Sequence, residues 1–374
     1  MSIEIGGFCD EQFEPLKQAF AANFDAGFEV GASVAVTHQG RSVVDLWAGY
    51  ADVEKSRPWQ EDTIVNVFST TKVMNIICIL KLVSEGRIDL DVPVATYWPE
   101  FGQAGKSKVT TRQVLIHRAG LPGFSEPQTF EALHDWNYIV DVLARQEPWW
   151  EPGTQTCYHM ITYGFILGEL TRRVTGSLLS EYFENEFSRP AGADFHIGLK
   201  DREILNRVAG LKFPEVPMSF EGIGERVMSS ILDGDWESWE HQSAEVPAGN
   251  GYGNARSIAR IGAILAMNGE LDGRRYLSPE TVEMAATEQS YSECPMIGMV
   301  RFGLGFGLHS DGFSAPTPSS FHWGGYGGSS VVMDTPTGLS FAYAPNNMVV
   351  TDEVGDDPRI KRLWDALTSV MAQL

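Results

Sequence analysis

The stretch Val67-Phe-Ser-Thr-Thr-Lys-Val-Met74 contains a Ser-x-x-Lys pair, Ser69 and Lys72, at the head of an apolar run. The apolar spacing predicts an amphipathic helix that ends near Gly86. Positions i and i+3 of a helix share one face, about 5–6 Å apart between Cβ atoms, so the lysine can stand beside the serine. A serine hydroxyl is a weak nucleophile until a base takes its proton. The pair predicts a nucleophile with a basic partner at a helix N-terminus, although the pattern alone also arises by chance.

The composition is that of a large, acidic protein. The chain has 374 residues, 43% of them apolar, which is enough for a large core and for more than one lobe. Its formal net charge of −21 argues against nucleic acid and anionic lipid as partners, because both require a basic face. No apolar run is long enough to predict a membrane span, and none resembles a signal peptide, so we expect a cytoplasmic location.

The cysteines and histidines do not form a recognisable metal or disulfide pattern. The four cysteines are Cys9, Cys78, Cys157 and Cys294, with no C-x-x-C among them. We expect free thiols rather than disulfides or a zinc site. No two histidines have the spacing of metal ligands, so we expect no metal site. We also expect no organic cofactor.

Strand and helix patterns occur in blocks along the chain. Two β-rich runs flank His38-Gln-Gly40 and predict a hairpin. The predicted helices cover 10–26, 72–85, 110–118, 128–146, 158–174, 178–187, 255–268 and 357–373, another begins at Leu277–Glu280, and late strands cover Arg301–Leu308, Ser329–Asp334 and Leu339–Ala344. Strands at both ends with helices between them indicate an α+β fold.

This arrangement predicts two lobes. Residues 1–72 and 249–374 would form an α/β lobe, an antiparallel sheet with the N- and C-terminal helices. Residues 73–248 would form an inserted, mostly helical lobe with a long irregular excursion near 200–248. We expect the active site between the lobes.

Several common enzyme sites are excluded. The chain has no Gly-x-Ser-x-Gly nucleophile elbow, which argues against an α/β-hydrolase. Gly105-Lys106-Ser107 ends like a P-loop, but Glu100 stands where the first glycine belongs. The glycines of Gly303–Gly307 precede strands rather than a dinucleotide-binding helix.

Two further stretches become candidate parts of a site when they are considered together with the Ser/Lys pair. A Pro-Gly turn at Glu151–Gly153 leads into Tyr158, which is either a core residue or, near a lysine ammonium that lowers the pKa of its phenol, a candidate base. The glycine cluster within Phe321–Ser329 precedes a strand. Glycines at a strand edge let an acyl group approach backbone N–H groups closely, although a tight strand entry would look the same.

Taken together, the three stretches resemble the serine β-lactamase and penicillin-binding-protein superfamily, in which Ser-x-x-Lys is followed by a Tyr or Ser motif and then by Lys-Thr-Gly or His-x-Gly on a strand. The resemblance spans nearly the whole chain. It includes Val114–Pro122, similar to Leu-Leu-x-His-x-Ser-Gly-Leu-Pro, and Gly249–Arg260. It implies a β-lactamase/transpeptidase-like fold.

Within that superfamily, the chain resembles the class C β-lactamase-like carboxylesterases of family VIII. His322-Trp-Gly-Gly325 stands where class C β-lactamases have Lys-Thr-Gly, and Tyr158-His-Met160 has methionine in place of the asparagine of Tyr-x-Asn. Both changes remove groups that position the carboxylate and amide of a β-lactam. The resemblance therefore implies hydrolysis of small-molecule carboxylic esters, short-chain or aromatic, by a serine esterase.

The predicted mechanism is acyl transfer through Ser69. Tyr158, as a phenolate stabilised by Lys72, would accept the proton of the serine, although either group could be the formal base. The amides of Ser69 and Gly325 would hold the oxyanion. His322, Trp323 and Gly324 would line the substrate pocket, and further apolar surface would come from Trp149, Trp150, Trp236, Trp239 and Tyr326.

Three alternatives remain open at this stage. The same acyl-enzyme could be passed to an alcohol by an acyltransferase, or the chain could be a β-lactamase or D-amino-acid peptidase. A non-catalytic scaffold is the third alternative, although Ser69, Lys72 and Tyr158 are all retained. The sequence does not predict the oligomeric state.

Overall fold

The hairpin predicted around His38-Gln-Gly40 forms the start of a large sheet. Its two strands pair antiparallel, and both Gln39 and Gly40 have positive φ in the turn between them. A two-residue turn of this kind matches the twist of the flanking strands. The computed structural model describes residues 3–216, 218–311, 313–351 and 356–374.

The described chain contains fourteen strands. They are β1 (Ile5–Cys9), β2 (Gly31–His38), β3 (Arg41–Gly49), β4 (Val65–Asn66), β5 (Phe195–Ile197), β6 (Gly251–Gly253), β7 (Glu270–Leu271), β8 (Arg274–Arg275), β9 (Ser290–Cys294), β10 (Gly298–Phe302), β11 (Gly307–Leu308), β12 (Phe321–Gly324), β13 (Ser330–Asp334) and β14 (Leu339–Pro345). Nine of them form one antiparallel sheet in the order β1-β3-β2-β14-β13-β12-β11-β10-β9. The sheet therefore joins strands from both ends of the chain.

Helices cover both faces of this sheet. They are α1 (Glu14–Asp25), α2 (Thr71–Ser84), α3 (Thr111–Leu115), α4 (Trp136–Arg145), α5 (Thr162–Thr175), α6 (Leu179–Phe183), α7 (Arg189–Ala191), α8 (Ile223–Met228), α9 (Trp239–Ser243), α10 (Ala255–Ala266), α11 (Pro279–Ala286) and α12 (Pro358–Met371). The terminal helices α1 and α12 share one core with side chains such as Val332 and Phe341. The opposite face belongs to the larger core with α2, α5 and α10.

The structure confirms the predicted α+β class, an antiparallel sheet flanked by the terminal helices. The long predicted helices form, but the helix predicted at 158–174 begins only at Thr162, so Tyr158 lies in the preceding extended segment. The hairpin β9–β10 and the small sheet β4-β6-β5 were not predicted. Their strands are short or polar and carry little local signal. The division into two lobes at the stated boundaries stays a prediction.

In the part of the chain that the structure describes, no helix combines the length and apolar character needed to cross a membrane.

A buried ionic network ties α12 to the sheet and to the glycine turn after β12. The guanidinium of Arg359 is fully buried and faces the carboxylates of Glu29, at 3.3 Å, and Asp357, at 2.7 Å. It also donates to the carbonyl oxygens of Gly327, at 2.7 Å, and Asn347, at 2.6 Å. Glu29 also accepts a hydrogen bond from Tyr343, but without Arg359 neither buried carboxylate would face a cation among the described residues, so the arginine is required for this packing.

We predict that Arg359→Met destabilises the fold by about 3–5 kcal/mol, because it leaves buried carboxylates unpaired. Urea denaturation measures the change in the free energy of unfolding. Lys361→Met is the matched control, since Lys361 is exposed on the same helix and its loss should cost less than about 0.5 kcal/mol. Equal stability of the two variants would contradict the role given to Arg359.

Candidate active site

The nucleophile candidate lies on a strained turn. A single 3-10 turn, Phe68–Thr70, precedes α2 and carries Ser69 at its centre. Phe68 has a φ of +43°, a conformation that non-glycine residues rarely adopt. The side-chain oxygen of Asn66 accepts the Phe68 amide at 2.8 Å and holds this turn. Backbone strain of this kind persists where the surroundings impose it, often at functional sites.

Two side chains meet at Ser69 Oγ, one from the next helical turn and one from a distant part of the chain. Lys72 Nζ, one helical turn away, lies 3.0 Å from it. The hydroxyl of Tyr158 donates to it at 2.7 Å. Lys72 Nζ also donates to the Ala248 carbonyl oxygen at 3.0 Å. The structure thus brings together the three predicted catalytic residues and adds a backbone acceptor from the loop before β6.

The electrostatics of this cluster follow from burial. Lys72 is only 1% exposed, and burial holds the pKa of its amine well below the ordinary value. Burial also raises the pKa of Tyr158, and the hydrogen bond with Ser69 only partly opposes this. The expectation that a lysine ammonium lowers the pKa of the phenol is therefore wrong. The lowered pKa of Lys72 and the raised pKa of Tyr158 both favour a neutral amine beside a neutral phenol.

The third predicted stretch lies on β12, and its residues separate by strand alternation. Trp323 faces the site, with its ring centroid 5.6 Å from that of Tyr158. His322 points to the opposite face of the sheet, where its ring stacks on Phe313 at 4.7 Å and meets Trp364 of α12 at 5.1 Å. Successive strand residues face opposite sides. His322 is therefore not brought to Ser69, contrary to its predicted role in the substrate pocket.

The glycines after Trp323 shape the backbone beside the nucleophile. Gly324 is exposed at the end of β12. A side chain at Gly325 would collide with the Val67 carbonyl, so this strand end lies directly against the nucleophile turn. The Gly325 amide donates to the Ser329 carbonyl at 2.8 Å. That bond occupies the N–H that we predicted as the second oxyanion donor.

The next amide along the chain is differently placed. The N–H of Tyr326 makes no hydrogen bond with any described residue, and the same holds for the N–H of Ser69. The Tyr326 ring lies 5.8 Å from that of Phe68, in edge contact. One amide without a partner among the described residues thus lies on the nucleophile turn itself, and another lies on the glycine turn after β12.

Aromatic side chains border this turn unevenly. The Trp236 ring is 5.4 Å from Phe68, so the excursion at 200–248 brings one predicted tryptophan to the site. Trp239 instead packs under Arg202 in a separate cluster. Trp149 and Trp150 contact each other at 6.4 Å. The apolar surface next to Ser69 therefore includes Phe68, Trp236 and Tyr326, together with Trp323 beside Tyr158.

Three supporting groups were missed by sequence reasoning. They are the Asn66 amide, the Ala248 carbonyl and the hydroxyl of Ser329, which donates to Val67 O at 2.7 Å and lies 2.9 Å from Thr70 Oγ1. Ser329 ends the glycine-rich stretch Phe321–Ser329, but its neighbours in the sequence do not distinguish it from an ordinary turn residue. Among the described residues, no group of three or more His, Cys, Asp or Glu side chains is placed to hold a metal ion.

Comparisons with known proteins address the fold and the family of the chain. The Beta-lactamase family pattern matches residues 18–363. The chain is 32% identical to "Esterase/beta-lactamase LipL" of Mycobacterium tuberculosis, over 94% of this chain and 86% of that protein. Among solved structures, it superposes on a family VIII carboxylesterase with a TM-score of 0.90 and 38% identity, covering 98% of this chain and 100% of that one.

A penicillin-binding protein homolog from Caulobacter crescentus is similarly close. Its TM-score is 0.91 with 35% identity, and the match covers 98% of this chain and 100% of the homolog. The family pattern and these full-length similarities lead to one conclusion: the chain belongs to the Beta-lactamase family.

Proposed function

We propose that this protein is a serine carboxylesterase that hydrolyses short-chain or aromatic carboxylic esters through an acyl-enzyme on Ser69. One observation carries the proposal: Ser69 Oγ lies within hydrogen-bond distance of both a buried amine and a partly buried phenol. The similarity to a family VIII carboxylesterase and to proteins named as esterases supports it. A small-molecule ester as partner and a cytoplasmic location are part of the same proposal.

In the first step, Ser69 Oγ attacks the ester carbonyl and loses its proton to Lys72. A neutral amine has a free lone pair, and the lowered pKa of Lys72 favours this form. Tyr158 remains protonated, donates its proton to the departing alkoxide and is reprotonated by the lysine ammonium. Water then takes the place of the alcohol, attacks the acyl-enzyme and gives its proton to Lys72. Tyr158 protonates the departing Ser69 Oγ and is reprotonated by the lysine ammonium, which releases the acid and restores the free enzyme.

The oxyanion of each tetrahedral intermediate requires two amide donors. We assign them to the N–H groups of Ser69 and Tyr326, in place of the Gly325 amide, which already bonds to the Ser329 carbonyl. Losing one such donor typically costs about 2.7–4 kcal/mol of transition-state stabilisation. Trp323, beside Tyr158, and the aromatic rings of Phe68 and Trp236 provide an apolar border for an acyl group.

We predict that Ser69→Ala lowers the kcat for p-nitrophenyl butyrate at least about 10³-fold, because the nucleophile is lost. A fluorophosphonate probe should add one covalent group to Ser69 of the unmodified protein, as located by peptide mass spectrometry. Ser84→Ala, the same change at the far end of α2, is the control and should keep full activity. Labelling at another residue would refute the assignment.

The pH dependence separates the two candidate bases. With Lys72 as the base, kcat/KM for an uncharged ester should rise with pH as the ammonium loses its proton, and level off well below pH 10.5, the ordinary lysine range. Lys72→Arg should be inactive at every pH, since a guanidinium stays protonated. A rate that begins to rise only above pH 10 would indicate the Tyr158 phenolate, whose pKa is raised by burial.

The proposal also distinguishes esters from β-lactams. We predict a kcat/KM for p-nitrophenyl butyrate at least about 100-fold above that for a cephalosporin, because Met160 has no amide group for the side chain of a lactam and Trp323 has no positive charge for its carboxylate. The relative named "Esterase/beta-lactamase LipL" makes β-lactamase activity the second candidate. Faster turnover of the cephalosporin would favour it. Adding a competing alcohol to the ester assay tests acyl transfer, since a transesterified product would appear.

A further inference from the structure

We propose that His117 is a positioning residue for Tyr158: it accepts hydrogen bonds from the backbone on both sides of the tyrosine and so orients the phenol hydroxyl toward Ser69. The inference rests on the proposed function and concerns a residue for which the mechanism above has no use.

His117 accepts hydrogen bonds from the two residues that flank Tyr158. The amide of Cys157 donates to the His117 carbonyl oxygen at 3.1 Å. The amide of His159 donates to Nδ1 of the His117 ring, also at 3.1 Å. Between them, the amide of Tyr158 itself donates to Cys294 Sγ at 3.3 Å. The extended segment that carries the tyrosine lacks a helix or sheet of its own, so these bonds fix its position.

The ring of His117 also sets the orientation of the phenol. It stacks on two rings, Tyr163 at 4.5 Å and 28°, and Trp323 at 6.0 Å and 20°. Its edge meets the ring of Tyr158 at 5.1 Å. The histidine therefore contacts both the backbone around Tyr158 and its side chain, next to the 2.7 Å hydrogen bond with Ser69.

Two features of His117 lower the stability of the folded state. It is fully buried with a φ of +59°, a strained conformation for a residue with a side chain. Because Nδ1 accepts a hydrogen bond, the proton of the neutral ring is on Nε2, and Nε2 has no partner among the described residues. Glycine would avoid both costs, and an apolar residue would avoid the unpaired Nε2, but neither could accept the His159 amide from a side chain.

His117 does not take part in proton transfer. Burial, with Lys72 and His159 close by, holds the pKa of its ring well below the ordinary value, so the ring stays neutral at working pH. Protonation would place a hydrogen on Nδ1, where the His159 amide already points. Its action on the reaction must pass through Tyr158.

Two amide substitutions provide a matched test. In His117→Asn, the side-chain oxygen reaches the position of Nδ1 and can accept the His159 amide, and asparagine tolerates positive φ. In His117→Gln, the same group is one methylene further out and misses that position. We expect His117→Gln to lower kcat about 100-fold with little change in KM, and His117→Asn to recover most of the loss.

Repeating both substitutions in a Tyr158→Phe background distinguishes positioning from a structural role. Without the Tyr158 hydroxyl, residue 117 has no group to orient, so we expect the kcat values of the two double variants to differ less than about twofold. The acid limb of the pH profile should stay unchanged in the single variants, since Lys72 sets it. The melting temperature of each variant and its near-UV spectrum report whether the fold is retained.

An equal gap between the Asn and Gln variants in both backgrounds would overturn the proposal, because His117 would then act independently of the hydroxyl. A wild-type kcat in folded His117→Gln would overturn it as well. Failure of the proposed function gives a different result: Ser69→Ala would retain turnover, whatever the His117 variants do.

Discussion

The site depends on one constraint, the burial of the Lys72 amine without a carboxylate partner among the described residues. Its hydrogen-bond partners are Ser69 Oγ and the Ala248 carbonyl oxygen, both uncharged. A buried ammonium with no counter-charge is expensive, so the pKa of the amine falls and the neutral base is favoured. The walls that exclude water come from α2, from the loop before β6 and from the Tyr158 segment. The packing of these parts around Lys72 lowers the pKa of its amine and so favours its neutral, basic form.

The nucleophile is held from the sheet side as well. Ser329, just before β13, donates its hydroxyl to the Val67 carbonyl and contacts Thr70, so the glycine turn after β12 and the strained turn at Phe68 support each other. The same glycine turn gives a carbonyl to the buried guanidinium of Arg359 on the last helix. Serine geometry is thus linked to the packing of the C-terminal helix.

Sequence reasoning succeeded where a short pattern carries the information. The Ser69/Lys72 spacing required only a helix, and the alternation around His38-Gln-Gly40 required only a hairpin turn. It was wrong where the role of a residue depends on which face of a strand the residue occupies or on how deeply it is buried. His322 and Trp323 are neighbours in a glycine-rich stretch, yet strand alternation sends one to α12 and the other to Tyr158. The Gly325 amide is occupied for a similar reason, since the hairpin register pairs it with Ser329.

The sequence by itself determined the chemical groups, the order of the motifs and the α+β class, because these follow from residue types and local periodicity. Only the tertiary structure decided how those groups behave. Packing raises the pKa of the Tyr158 phenol instead of lowering it, since desolvation outweighs the nearby hydrogen bonds. It also places His117, more than forty positions before Tyr158 in the chain, around the backbone of that residue. Burial and long-range hydrogen bonds exist only once distant segments are packed together, so no local pattern could predict them.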